Sequence, residues 1–521
     1  MKKISIYDST LRDGAQAQGI SFSVEDKIKI VEKLDSIGID YIEAGNPGSN
    51  PKDLEFFERV KKIDLKNSKI IAFGSTRRVN IPVDEDANVK SLLKADTPAV
   101  AIFGKSWGFH VTDILKTTLD ENLNMIRDTI AFFKSKDKEV VFDAEHFFDG
   151  YKADPEYAMK SLKAASEGGA DSLCLCDTNG GTFPDEIYEI TSKVVKEFKE
   201  DIGIHCHNDT GLAVANSIMA VKAGAVQVQG TMNGYGERIG NANLCTIIPN
   251  LQVKCGYNCI LEESISDFTS TARYISEIAN VMHDERAPYV GKYAFAHKAG
   301  MHADAVNKNP TAYEHITPET VGNERLFLMS EVAGRSAVLN FVNTIDSTIT
   351  KDSPQTKLIL EKLKEMEFKG YQYEGAESSF ELIIRKILGK YQPHFELKEF
   401  KVVVNEPSLS NVNSSAIIKI KVDGQNEITA DEGDGPVNAL DNALRKALGK
   451  FYPQISQIKL TDYKVRVLDS GYATAAKVRV LIESTDGKDV WTTIGVSTDI
   501  IEASWQALVD SIEYKLTKDA K

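Results

Sequence analysis

The chain has 521 residues, more than one compact core accommodates, and is expected to form two to four domains. A net charge of -14, with 26% charged and 42% hydrophobic residues, argues against nucleic acid or an anionic membrane as partner, since both need a basic face. No apolar run approaches a membrane span, and Met1-Lys-Lys-Ile-Ser-Ile-Tyr-Asp8 enters a strand pattern without a signal-peptide core, which predicts a cytoplasmic protein.

Short apolar strands alternate with amphipathic helical stretches from the start. The strand candidates are Ile4–Asp8, Tyr41–Ala44, Lys69–Phe73, Ala99–Phe103, Val140–Glu145, Ser172–Asp177, Ile202–His207 and Val226–Thr231. Eight βα units are the count that a closed (β/α)8 TIM barrel requires. A doubly wound sheet competes, but it would want a glycine-rich turn after the first strand, where this chain has Arg12-Asp13. The first helix has clear ends: Ser23-Val-Glu-Asp26 reads as a capping box, and Gly38 stops it.

In a barrel, the C-terminal strand ends share one rim. Arg12 and Asp13, Glu43, Glu145, Asp177 and Thr178, His205 and His207, and Asn241 all fall there. His205-Cys-His207 is the sharpest signal, because alternate residues on a strand face one way and two imidazoles can grip adjacent positions of one metal ion. Taken alone, His-x-His on a strand is more often bland; a nearby carboxylate and amide change the reading. Polar strand ends explain any one of these residues, but less well the whole set. Gly234-Tyr-Gly-Glu-Arg-Ile-Gly240 has the wrong spacing for a dinucleotide fingerprint; its glycines bend the loop so that Asn241 turns inward.

Six cysteines without a zinc-ribbon spacing read as buried reduced thiols, with Cys255-x-x-x-Cys259 at most half of a zinc site. Beyond residue 265, four histidines (His283, His297, His302, His315) gather in a segment without strand alternation. Surface hydrogen bonding is the plain reading; nearness to a catalytic rim would make one a proton carrier. Lys357–Lys369 and Phe380–Leu388 read as packing helices. After Pro393, a strand, strand, glycine-bearing loop, helix order occurs twice, which predicts an α+β module with an internal pseudo-repeat and a seam for a small ligand. The expected division is a catalytic barrel over 1–265, a linker subdomain over 266–330, a helical linker subdomain over 331–398 and a regulatory domain over 399–521.

Asp8-Ser-Thr-Leu-Arg-Asp-Gly14, His205-Cys-His207, Gly236-Glu-Arg-Ile-Gly-Asn-Ala-Asn243, Gly433-Asp-Gly-Pro-Val437 and Trp491-Thr-Thr-Ile-Gly-Val-Ser497 resemble the 2-isopropylmalate, homocitrate and citramalate synthase family along essentially the whole chain. Glu43-Ala-Gly-Asn-Pro-Gly48 and Asp143-Ala-Glu-His-Phe-Phe-Asp-Gly-Tyr151 most resemble the citramalate branch. The resemblance implies an acyltransferase that condenses acetyl-CoA with a 2-oxo acid, pyruvate on this branch, and hydrolyses the thioester. It assigns a divalent metal (Mn, Mg, Zn or Co) to Asp13, His205, His207 and Asn241. It further assigns catalysis to Arg12, Glu145 and His302, the last from a neighbouring subunit, and substrate contacts to Arg12, Thr178 and Glu43. Such an enzyme is a homodimer whose C-terminal module binds isoleucine as feedback inhibitor. Bulk at Phe73, Phe103 or Phe147 would restrict the pocket to pyruvate. The alternatives are a 2-isopropylmalate synthase acting on 2-oxoisovalerate, a cleaving acyl-CoA lyase, and a non-catalytic amino-acid-sensing protein.

Overall fold

Eight parallel strands, β1 (Ser5–Asp8), β2 (Tyr41–Glu43), β3 (Lys69–Ser75), β4 (Ala99–Lys105), β5 (Glu139–Glu145), β6 (Ser172–Asp177), β7 (Asp201–Cys206) and β8 (Gln227–Gly230), pair in sequence order. β1 pairs with both β2 and β8, closing the barrel that the eight-unit count predicts and excluding the open sheet. The computed structural model describes residues 2–48, 51–298, 300–327, 335–404, 414–468, 475–487 and 489–520. It divides into two units, residues 1–295 with 316–324, and residues 296–315 with 325–521.

The period-2 alternation of the strands decides what faces where. Ile6, Ile42, Ile70, Val100, Phe142, Leu173, Ile204 and Val228 point outward and join the helices in the main core. Tyr7, Ile71, Ala99, Ala101, Val141, Cys174 and Cys176 fill the barrel axis, with Tyr41 and Phe73 beside them. One strand face therefore supplies stability and the other fills the barrel, whose upper end is available for chemistry. Helix Val24–Ile37 is capped as its sequence indicates, with Ser23 N donating to Asp26 Oδ2 (2.9 Å) and Asp26 N donating to Ser23 Oγ (3.1 Å). Gly38 ends it at φ 87°.

The second unit carries the repeat. β9 (Ala296–His297) and β10 (Leu326–Phe327) form a small parallel pair. β11 (Glu396–Val404), β12 (Ser414–Val422) and β13 (Gln425–Gly433) form an antiparallel sheet, followed by helix Pro436–Leu448. β14 (Lys459–Val467), β15 (Val478–Thr485) and β16 (Val490–Ser497) repeat it, followed by helix Ile500–Asp519. The leading strand of each half breaks register at the same place, between Leu397 and Glu399 in one and between Leu460 and Asp462 in the other. β13 is the strand of this repeat that the sequence reading missed. Gln425-Asn-Glu-Ile-Thr-Ala-Asp-Glu-Gly433 buries only Thr429 and Gly433, so it lacks the apolar alternation that betrays a strand.

All six cysteines are free; five are buried, and Cys255 is exposed, which corrects that one expectation. The four histidines do not form one group. His283 lies in the first unit, bonded to Ser276 Oγ and Val290 O, while His297, His302 and His315 belong to the second. No described helix is long and apolar enough to cross a membrane.

Candidate active site

The turn after β1 is held by Asp8, whose carboxylate receives both Thr10 N (3.0 Å) and Thr10 Oγ1 (2.8 Å). Burial pushes this carboxyl up to about 7 against those hydrogen bonds. Gly14 N then returns to Ser9 O (3.0 Å) and Asp13 N to Ser9 Oγ (3.3 Å), which turns Arg12 and Asp13 to the rim. Across the barrel, His205 ends the inward row of β7, and His207 pairs through its backbone with Asn241. That pairing depends on glycine. A Cβ on Gly236 would lie 2.2 Å from Asn241 Nδ2, and one on Gly240 2.0 Å from Gly234 O, at φ values of 156° and 103°.

These turns bring Asp13, His205 and His207 together. Asp13 Oδ2 is 3.6 Å from His205 Nε2 and 3.8 Å from His207 Nε2, and one ligand atom from each lies within 4.8 Å of the others. Asp13 Oδ1, His207 Nδ1 and Asn241 Oδ1 are buried without a hydrogen-bond partner among the described residues. Burial works to raise the Asp13 carboxyl, but Arg12, then the two histidines and the Asn241 amide, outweigh it and hold the group at about 2. Burial lowers both imidazoles, and the neighbouring His205 helps to bring His207 to about 4. At neutral pH the group is one carboxylate and two neutral imidazoles, the protonation state that a divalent cation requires, so the residues present fit such an ion. Asp143, Cys174 and Cys176 form a second close group, but burial drives the Cys174 thiol well above its ordinary range and Asp143 is already hydrogen-bonded to Gln229.

A cavity of about 250 Å³ opens over this group, lined among others by Arg12, Asp13, Phe73, Phe103, Asp143, Glu145, Thr178, His205, His207 and Arg238. Arg12 lies over Phe73, Cζ 3.8 Å from the ring centre, and Phe73 stacks on Phe103 at 5.1 Å. Phe147 is fully buried in the helix-facing core and does not line the cavity. Glu43 does not line it either. Its carboxylate is filled by Arg12 Nε (2.5 Å) and Nη2 (3.2 Å), Ser9 Oγ (2.9 Å) and Tyr7 OH (3.0 Å). Glu145 stands at the end of β5, paired with Lys105 of the adjoining strand. Thr178 Oγ1 accepts from His146 N (2.9 Å). His302 lies in the second unit, its ring 4.1 Å from that of Tyr313.

Several lining residues escaped the sequence reading. Asp143 precedes Glu145 by two and must share its face, a signal available from strand alternation alone. Arg238 had none, and neither had Lys105, which meets the site only through Glu145, since a lone cation near a strand end is ordinary. Arg238 reaches the site by bonding Asp209 on both oxygens (2.7 and 2.9 Å) and Thr178 O (2.8 Å).

Comparison with known proteins agrees with this architecture. The HMGL-like family model matches residues 3–275, the homocitrate synthase post-HMGL domain-like model residues 289–370, and the LeuA allosteric (dimerisation) domain residues 374–516. The chain is 55% identical to the (R)-citramalate synthase of Aquifex aeolicus, covering 99% of its own length and 98% of the relative's. It is 52% identical to that of Synechocystis sp. (99% and 97% covered) and 52% to that of Geobacter sulfurreducens (99% and 98%). Matched from end to end at this level, and carrying the HMGL-like barrel, the chain belongs to the (R)-citramalate synthase family, enzymes of the acyltransferase type.

Proposed function

We propose that this protein condenses acetyl-CoA with pyruvate and hydrolyses the thioester to give (R)-citramalate and CoA, using a divalent metal held by Asp13, His205, His207 and Asn241. The observation that carries this reading is a carboxylate and two neutral imidazoles set against a phenylalanine-walled cavity, in a chain alike to (R)-citramalate synthases over its whole length. When bound, such an ion withdraws charge from the ketone carbon of a 2-oxo acid. Arg12, fixed by Glu43 and Phe73, meets the negative charge that develops on the ketone oxygen during attack. Glu43 thus serves the substrate through Arg12 rather than by touching it. Thr178 accepts from His146 N–H on one side, which orients its hydroxyl and leaves the proton free for the substrate carboxylate. Glu145 orients or deprotonates the thioester methyl, assisted by His302 of the partner subunit. The stacked Phe73 and Phe103 leave room for the methyl of pyruvate and oppose a branched chain.

Residues 1–265 serve catalysis, 266–330 and 331–398 link, and 399–521 bind isoleucine, in a cytoplasmic homodimer of two-fold symmetry whose product feeds isoleucine synthesis. Inhibition requires isoleucine to bind the less active state better, with a coupling of about 1–3 kcal/mol. The test is thiol release from acetyl-CoA with pyruvate, 2-oxobutyrate or 2-oxoisovalerate, with and without isoleucine. Pyruvate should give the highest kcat/KM, and isoleucine should lower the rate. A preference for 2-oxoisovalerate would make the chain a 2-isopropylmalate synthase, and absence of both thiol release and metal binding would make it a sensor.

A further inference from the structure

His205 and His207 are alike in sequence but not in their surroundings. The Nδ1 of His207 is buried and has no hydrogen-bond partner among the described residues. The Nδ1 of His205 lies 3.1 Å from Gln229 Oε1, and the same amide donates from Nε2 to Asp143 Oδ1 at 2.9 Å. All three side chains are buried and project into the barrel from β5, β7 and β8.

This geometry points to Gln229 as a positioning residue that fixes the tautomer of His205 through an Asp143–Gln229–His205 chain. An amide has two unlike ends. With Asp143 accepting from Nε2, the carbonyl Oε1 is turned toward His205, and only an N–H at Nδ1 satisfies it. The imidazole proton is then held on the far side of the ring, leaving the Nε2 lone pair bare on the side where Asp13 Oδ2 stands 3.6 Å away. A ligand whose proton already sits on the correct nitrogen needs no rearrangement when a cation arrives, and partners of this kind typically change metal affinity 10–100-fold. His207 has no such partner among the described residues and acts as an internal control. The inference rests on the reading of Asp13, His205 and His207 as the metal group, but not on which 2-oxo acid reacts.

The test uses the full chain, freed of metal, in wild-type, Gln229→Leu and Gln229→Glu forms. Two quantities are read: Mn²⁺ affinity by titration calorimetry, and the ¹⁵N shifts of histidines labelled at both ring nitrogens. Gln229→Leu removes the acceptor at similar volume, and should weaken Mn²⁺ binding 10–100-fold and shift His205, but not His207, toward a mixture of tautomers. Gln229→Glu keeps an acceptor facing His205, with a proton shared with Asp143 in place of the amide donor, and should weaken Mn²⁺ binding less than about tenfold and leave the His205 proton on Nδ1. If the leucine and glutamate variants behave alike, or if His205 in the wild type carries its proton on Nε2, the proposal is overturned. A wild-type chain that binds no Mn²⁺ overturns it together with the metal reading. Mn²⁺ binding that depends on Gln229 in a chain unable to condense pyruvate upholds it and removes only the substrate assignment. Should the leucine variant fail to fold, the glutamate variant and the wild-type spectrum still decide the matter.

Discussion

Glu43, with no exposed surface, receives the Arg12 guanidinium on both carboxylate oxygens, at 2.5 and 3.2 Å. Removing one partner of a buried pair strands the other charge. Glu43→Ala should therefore destabilise the barrel by about 3–5 kcal/mol in urea unfolding and lower kcat with pyruvate. Glu43→Gln, which keeps one acceptor oxygen for the guanidinium but loses the charge and turns an amide donor toward the other contacts, should fall between. An alanine variant within about 1 kcal/mol of wild type would show that Arg12 needs no such anchor.

Asp13→Ala and His205→Ala each remove one donor of the metal group, and should abolish tight Mn²⁺ retention and condensation together. In the wild type, excess Mn²⁺ should raise the thermal midpoint of the metal-free chain in proportion to the logarithm of its concentration. Full activity after exhaustive chelation would refute the metal role.

The acidity of the ligands predicts how that binding depends on pH. Burial and His205 hold His207 at about 4, while an ordinary imidazole protonates near 6.5. Mn²⁺ affinity should stay flat from pH 8 to about 5 and fall below it, as protons compete for His207. A loss of affinity beginning at pH 6.5 would mean that the imidazoles are solvated.

Asp143 titrates in the opposite sense. Burial, then the charge of Glu43, raises its carboxyl to about 7. The folded chain thus holds that proton more tightly than the unfolded chain does. The resulting stability is present in full below pH ~4 and is lost as the pH rises to ~7. Asp143→Asn lacks this dependence, so its stability relative to wild type should climb across that window, by up to about 4 kcal/mol. A constant difference between the two proteins would contradict the assignment.

Substrate choice is tested at Phe103, whose ring backs Phe73 without touching Arg12's hydrogen bonds. Phe103→Ala should raise kcat/KM for 2-oxobutyrate relative to pyruvate by about tenfold, the usual worth of one methylene in an apolar pocket. An unchanged ratio would place the selectivity elsewhere.

Much of this molecule was legible because its strands are short and buried on both faces. Their apolar runs counted to eight, and several ended on a residue with chemistry, as at Asp8, Glu145, Asp177 and His207. Where the pattern thinned, so did the reading: β13 is polar because little covers it, and β7 stops at Cys206, leaving His207 to be placed by pairing with Asn241. Asp13, His205 and His207 carried a chemical signature in sequence. Gln229 and Lys105 did not, because an amide or an amine on a strand acquires meaning only from what stands opposite it on another strand.

The inward row of the barrel holds Tyr7, Glu43, Phe73, Phe103, Asp143, Glu145, His205 and Gln229, all at odd positions along their strands. An insertion or deletion of a single residue within any of these strands would exchange odd for even and turn the chemistry out toward the helices. A change of length that preserves the catalyst must therefore fall in the loops, while within the ring only replacement of one side chain by another leaves it right side in.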